Sequence, residues 1–444
     1  MTLKEFFHNK WVKFIFWALL YVLWVIWLGS FWWLLGLIII FDLCVTKKVK
    51  WLFWQKEYKE GEKRNALLDW LDAIIFAVIV VTFINTFFFQ AFKIPSSSME
   101  SSLYTGDHLF VSKLTYGPRI PQTPLTIPFT HNVIAGKESY STLIQNDYRR
   151  LKGFRDLERG DEVVFNFPHG DTVLTKAPAE DYYALCRYLG REYVLKSSPI
   201  TVRPSDKKDH YVKRCVAVAG DTLEVRGGYV WVNGVQQETY PGIQLSYEVK
   251  TNGKKLNPKI IDKLGLNVSE LFYSSSLPGY PAMPLTQAML EQLKGNPVVE
   301  SITPNLETVP SDGEEKELFP FVPTGWTRDE YGPLWIPKKG SSVALTPETL
   351  PFYERIISSY EHNDLTVTPD GKIYVNGQQV ETYTFTQDYY FCMGDNRHNS
   401  LDSRYWGFVP EDHIVGKPFV IWLSTDRDRH FPKNIRWRRF LKFV

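Results

Sequence analysis

Cysteine is scarce in this 444-residue chain: there are four, Cys44, Cys186, Cys215 and Cys392, widely spaced and without a Cys-x-x-Cys. Cys44 falls in an apolar stretch, which leaves an odd three for the rest, so neither a disulfide framework nor a zinc site is expected. An excess of one charge is missing too. Lys and Arg number 51 against 49 Asp and Glu, a net charge of +2, whereas a nucleic-acid-binding domain shows a strong basic excess; no nucleic-acid partner is expected. The nine histidines show no ligand spacing, and no His-Glu-x-x-His, glycine-rich phosphate loop or Gly-x-Ser-x-Gly occurs. No metal and no cofactor are therefore expected.

Apolar residues are abundant, 44% of the chain with 15 Trp, and crowd into the first hundred positions. A membrane region followed by a soluble one accounts for that asymmetry. Residues 14–41 carry no charge, and the apolar run continues to about Val45 with only Asp42 interrupting; one span needs roughly 20 residues. Gly29 and Ser30 sit near the middle, so two short spans, 12–28 and 31–46, joined by a tight hairpin are predicted. A single strongly tilted helix also fits. The run is too long for a cleavable signal peptide, whose apolar core is about 7 to 15 residues.

A basic segment follows at 47–65, with Lys47, Lys48, Lys50, Lys56, Lys59, Lys63 and Arg64, and such loops stay cytoplasmic. A further apolar run, 73–92, carries the chain back across. Residues 1–93 thus read as a membrane anchor, with everything after Lys93 outside the cytoplasm.

The soluble part reads as strands at 161–167, 211–218, 222–225, 229–232, 365–367 and 372–375, short and bounded by Gly, Asn or Asp. Asn233-Gly234 and Asn376-Gly377 are hairpin signals inside a local echo, one instance being too little for a repeat fold. The expected fold is N-terminal transmembrane helices followed by a mainly β catalytic domain, 94–240 and 362–425. Between the echoes, 241–361 changes character, with scattered Pro and Gly and helix-like patches at 258–264 and 285–293; it reads as an inserted cap. Residues 426–444 form a basic, aromatic tail suited to a lipid headgroup surface.

The chemistry begins after the last span, at Ile94-Pro-Ser-Ser-Ser-Met99. A nucleophilic serine needs a base and something to orient that base. Lys213, in Tyr211-Val-Lys-Arg-Cys-Val-Ala217, shares one strand face with Tyr211, Cys215 and Ala217, while Arg214 points to the other. A lysine on an uncharged face is open to desolvation, which lowers its pKa and frees the amine to accept a proton. The third segment, Gly394-Asp-Asn-Arg-His-Asn-Ser-Leu-Asp-Ser-Arg-Tyr-Trp-Gly407, has the composition of a hydrogen-bonded turn. A competing motif, Ser205-Asp-Lys-Lys208, fits Ser-x-x-Lys of penicillin-binding enzymes, but their Ser-Asp-Asn and Lys-Thr-Gly are absent.

Taken in order, Ile-Pro-Ser-x-Ser-Met, Arg159-Gly-Asp-Glu-Val-Val-Phe165, Val-Lys-Arg with Ala-Gly-Asp221, and the long Gly-Asp-Asn-Arg turn resemble the motif set of bacterial type I signal peptidases. The resemblance implies a membrane-bound serine endopeptidase that removes signal peptides from exported preproteins by a Ser-Lys dyad. Ser98 then matches the nucleophile and Lys213 the general base. Ser96 matches the hydroxyl that lines the oxyanion hole with the Ser98 N–H. Ser400 matches the serine that holds the lysine, and Asp402 and Arg404 a charged pair supporting the turn. Phe92, Ile94, Met99, Leu103 and Val212 fall where the family builds shallow pockets for small side chains.

The implied setting is the cell membrane, with the catalytic domain extracytoplasmic. Its partners are signal peptides and the phospholipid bilayer, with the translocation machinery nearby. Ser97 stands where the family usually has Gly, and the insertions at 241–361 and about 169–209 have no counterpart in the minimal pattern. A non-catalytic, membrane-tethered binding protein on the same scaffold is the rival reading. Intact Ser98, Lys213 and Ser400 argue against it.

Overall fold

The computed structural model of the chain describes residues 9–49, 66–168, 172–177, 180–266, 271–311, 313, 316–426 and 429–444. Most of the basic segment expected at 47–65 lies outside them. The first helix, Lys10–Leu28, is capped by the Asn9 side chain, which accepts from the Trp11 N–H. It ends on Gly29 in the left-handed region, φ 65°, a conformation glycine adopts without a Cβ penalty. The chain then turns back through Phe31–Leu35, Gly36–Phe41 and Asp42–Thr46 against the first helix, with Phe14 and Phe41 ring centroids 5.2 Å apart. It is a helical hairpin, not one tilted helix. Asp42, the charge that interrupts the apolar run, accepts from the Thr46 hydroxyl and from the N–H groups of Lys48 and Val49 at the end of the return.

Lys10–Leu28 and Ala66–Phe87 are long and apolar enough to cross a membrane, whereas Phe31–Thr46 is shorter. The second of these helices, Ala66–Phe87, differs from the span expected at 73–92. Asp69 lies within its first turn, where the helix dipole favours an acidic group, so the helix begins before the uncharged run. It also stops earlier, because Phe89–Lys93 is a strand paired antiparallel with Asp107–Ser112, Phe89 opposite Ser112 and Lys93 opposite His108.

These two strands begin an eight-stranded antiparallel sheet. Its order continues through Ile414–Ser424, Glu162–Asn166, His210–Ala217, Tyr389–Met393 and Val409–Pro410, with Lys442–Phe443 paired to Ile414–Ser424. Register shifts between Asp107–Ser112 and Ile414–Ser424 mark bulges that increase bending and twist there. One side of the sheet buries Val163, Phe165, Cys215, Cys392 and Trp406, and another cluster buries Ile94, Met99, Leu103, Leu109 and Val164. The Asn-Gly hairpins form as predicted, with Asn233, Gly234, Asn376 and Gly377 all at positive φ.

The single cap expected at 241–361 is corrected by the packing. Leu245–Thr251, Gly279–Leu285 and Val299–Pro304 form a three-stranded sheet that, with the helices Pro258–Leu264 and Gln287–Lys294, encloses its own core around Val249, Met283 and Leu293. The rest of the interval does not belong to it. Tyr331–Trp335 pairs with Thr222–Arg226, and Tyr353, Ile356 and Ile357 pack with Val225, Phe391 and Phe408. The shift in composition marks where the chain leaves the β domain; the return is set by strand pairing with a distant segment. The second helical patch, expected at 285–293, is Gln287–Lys294, because Gly279–Leu285 is claimed by the sheet and Thr286 caps the helix.

Candidate active site

Ser98 stands at the head of a short turn just after the strand Phe89–Lys93. The turn closes through N–H groups of Ser102 and Leu103 donating to the Met99 carbonyl. Alternation in the adjoining strands brings the lysine to it: Lys213 lies opposite Val163 and shares a face with Tyr211, whose ring centroid is 5.7 Å from its Nζ. Lys213 Nζ donates to Ser98 Oγ at 2.5 Å, and the two residues are 3% and 8% exposed. Burial drives the Lys213 amine down to about 8, with Asp402 and Asp395 opposing a further fall. The pair predicted from separate segments is thus in direct contact.

The oxyanion donors expected beside it are open. Among the described residues no acceptor takes the Ser98 N–H or the Ser96 hydroxyl, and Ser96 is exposed. Ser97 instead is engaged: its hydroxyl accepts from Asn399 Nδ2 at 3.0 Å and its carbonyl from Asn396 Nδ2 at 3.2 Å, while the Asn396 N–H donates to the Ser98 carbonyl at 3.1 Å. Two asparagines of the Gly-Asp-Asn-Arg turn therefore strap the serine turn from above. The approach is close enough that a Cβ on Gly394 would lie 2.6 Å from the Ser98 carbonyl oxygen and 2.2 Å from Ser400 Oγ. Only glycine leaves that space.

Ser400 is buried beside this contact, but its hydroxyl makes no hydrogen bond, so no bond to Lys213 is seen. Asp402 and Arg404 form a fully buried pair, with Arg404 Nε and NH2 donating to the carboxylate at 2.9 and 2.8 Å. Burial pushes the Asp402 carboxyl up, but Arg404 and the Gly394 N–H outweigh it and hold the group below the usual range. All five predicted pocket residues lie in one cluster. Ile94, Met99 and Leu103 are its buried floor, and Phe92 and Val212 are partly open.

Sequence reasoning assigned no role to Arg214 or Asp395. Arg214 does point to the opposite face from Lys213, but not to solvent. Its guanidinium donates to Asp395 at 2.8 and 2.6 Å, to Glu162 at 2.8 Å and to the Gly160 carbonyl, under the Tyr240 ring at 4.2 Å. The pair locks the lysine strand to the turn that carries Asn396. Its only trace in the sequence is the adjacency of Arg214 to Lys213 and of Asp395 to Gly394.

The chain matches the family model for signal peptidase, peptidase S26, over residues 67–264 and 371–423, more than half of its length. The unmatched interval between these segments contains most of the cap and the strand Tyr331–Trp335. It is also similar to the signal peptidase I of Haemophilus influenzae, 26% identical over 392 residues covering 88% of this chain and 79% of the relative. The corresponding figures for that of Helicobacter pylori strain 26695 are 25% over 393 residues, 85% and 91%, and for that of Buchnera aphidicola subsp. Acyrthosiphon pisum 22% over 393 residues, 87% and 85%. With the match running through the serine turn, the lysine strand and the asparagine turn, the chain belongs to the signal peptidase family of S26 peptidases.

Proposed function

We propose that this membrane-anchored peptidase cuts signal peptides from preproteins with Ser98 as nucleophile and Lys213 as general base. The observation that carries the reading is the buried Lys213 Nζ, 2.5 Å from Ser98 Oγ with its pKa brought down to about 8. The neutral amine accepts the Ser98 proton as Oγ attacks the scissile carbonyl. The resulting oxyanion takes hydrogen bonds from the Ser98 N–H and the Ser96 hydroxyl, donors aimed where charge develops. The protonated lysine then gives its proton to the departing amine as the C–N bond breaks. In the second half, the same amine takes a proton from water as the water attacks the acyl-enzyme, then returns it to Ser98 Oγ as the acyl C–Oγ bond breaks, releasing the signal peptide as its carboxylate and free Ser98.

Phe92 and Val212, over the floor of Ile94, Met99 and Leu103, offer shallow apolar pockets suited to small side chains before the cut. The helices Lys10–Leu28 and Ala66–Phe87 hold the chain in the bilayer and place the β domain on its extracytoplasmic side. The Asp402–Arg404 pair, through the Gly394 N–H, holds the turn that carries Gly394 and Ser400 in place beside Ser98.

Incubating the detergent-solubilised full-length protein with a preprotein tests the reading. Ser98→Ala and Lys213→Ala should each abolish cleavage, since the two act as one proton-transfer unit. Because the neutral amine is the base, kcat/KM should fall about tenfold per pH unit below about pH 8. Cleavage surviving in Ser98→Ala, or full activity at pH 5, rejects the dyad.

A further inference from the structure

Beyond Ser96 and Ser97 the molecule opens into a cleft of about 1400 Å³, which neither Ser98 nor Lys213 lines. One wall is the serine turn, from Pro95 to Ser97 with Glu100 and Tyr104. A second is the cap, through Asp262, Leu266 and Pro284, and the third is the C-terminal segment 429–442. Six basic side chains line it against three acidic ones. Half of the basic groups are committed: Arg439 pairs with the buried Asp107 at 2.6 Å, Arg436 with Asp426 at 3.5 Å, and Arg429 with Asp262 across from tail to cap. Lys433, Arg438 and Lys442 are exposed and have no acidic partner among the described residues.

The composition of this segment alone suits lipid headgroups, but its form argues otherwise. The segment is docked, with Lys442–Phe443 paired to Ile414–Ser424 and Arg439 tied to Asp107 and the Ser102 carbonyl. Its cations face a concave space with the cap on the far side, where an extended chain fits and a flat bilayer reaches only the rim. The cleft also begins where a substrate must leave. Residues before the scissile bond occupy the Phe92 and Val212 side, so the chain after the bond runs past the other side of Ser98, along Ser96 and Ser97.

Resting on the function proposed above, we infer that this cleft receives the first residues of the mature chain, on the leaving side of the scissile bond, and favours acidic side chains there through Lys433, Arg438 and Lys442. The site thus reads both halves of the substrate: small side chains before the cut, negative charge after it.

The test uses the full-length protein in neutral detergent and quenched peptides identical up to the cut, followed by Ala-Asp-Glu-Asp, Ala-Asn-Gln-Asn or Ala-Lys-Lys-Lys. At low salt the acidic peptide should show a kcat/KM about tenfold above the neutral one, the sum of two or three exposed ion pairs, and the basic peptide should be poorest. High salt should flatten the series. Combining Lys433→Gln, Arg438→Gln and Lys442→Gln should bring the acidic-to-neutral ratio near one; a ratio does not depend on how much active enzyme each preparation holds. A wild-type enzyme indifferent to charge after the cut overturns the inference without recourse to the variant, and so does a preference that the variant keeps. If cleavage in nanodiscs instead depends on anionic lipid through these three residues while peptide charge has no effect, the cleft is a headgroup site and the inference fails. Failure of the wild type to cut any of the three peptides strikes at the dyad itself and takes this inference with it.

Discussion

Lys213 is costly to the fold as well as useful to the reaction. Its amine titrates near 8 in the folded protein and near 10.4 in an unfolded chain. Between those values the unfolded chain holds more protons, so this group's contribution to stability rises with pH from about 8 to about 10.5 and is at its worst below pH 8. The penalty at pH 7 is about 3 kcal/mol, more than the roughly 1 kcal/mol of the hydrogen bond to Ser98. Lys213→Met should therefore be inactive yet melt higher than the wild type at pH 7, with the two converging as pH approaches 10.5. An equal gain at every pH would mean that the amine is not depressed. The lysine's partner face was legible because a strand alternates strictly, and that pattern is local. Arg214 was legible only as pointing the other way. What buries it, Asp395 and Tyr240, comes from distant parts of the chain, and no window around residue 214 contains that information. The bond between Ser97 and Asn399 was hidden for the same reason.

Among the elements, the short ones with turn chemistry of their own were read most accurately. Both Asn-Gly hairpins and the strands around them formed at or near the expected positions, since the left-handed φ at Asn and Gly is a local requirement. The last N-terminal apolar helix was misplaced at both ends because hydropathy sees neither a dipole-favoured Asp69 nor a strand partner. The C-terminal segment owes its position to Arg439, which donates to the buried Asp107 at 3.1 and 2.6 Å and to the Ser102 carbonyl at 3.0 Å. Arg439→Ala should destabilise the domain by about 3 to 5 kcal/mol, because it strands a buried carboxylate. Deleting residues 436–444 should do the same. A chemical or thermal denaturation series on the two variants checks this, and a loss under 1 kcal/mol in Arg439→Ala would show that the pair is not desolvated.

At the scale of the whole molecule, the cap is separable from the β domain. The cap encloses its own apolar cluster, and Tyr247 pairs with Pro304 at its base, so a short linker can close the gap. Replacing residues 248–303 with a Gly-Ser turn should keep cleavage of a neutral peptide within about tenfold, loop closure over so short a gap being cheap. Removing 318–361 should unfold the protein, since Tyr331, Tyr353 and Ile357 share one buried cluster with Val225, Phe391 and Phe408 of the β domain. Loss of neutral-peptide cleavage in a folded cap-less variant would place catalytic groups in the cap. The join between anchor and sheet has a consequence of another kind. Phe88 alone separates the helix Ala66–Phe87 from the strand Phe89–Lys93, and the hairpin's tip is pinned to the β domain, Trp27 Nε1 donating to the Lys152 carbonyl and Arg149 to that of Leu28. With the helices in a bilayer as proposed, Ser98 has no slack in height: it stands one five-residue strand, about 17 Å, and a tight turn beyond the end of its own helix. The enzyme is then a gauge, and a bond is cut only where a substrate helix ends low enough for its extended continuation to reach that fixed level.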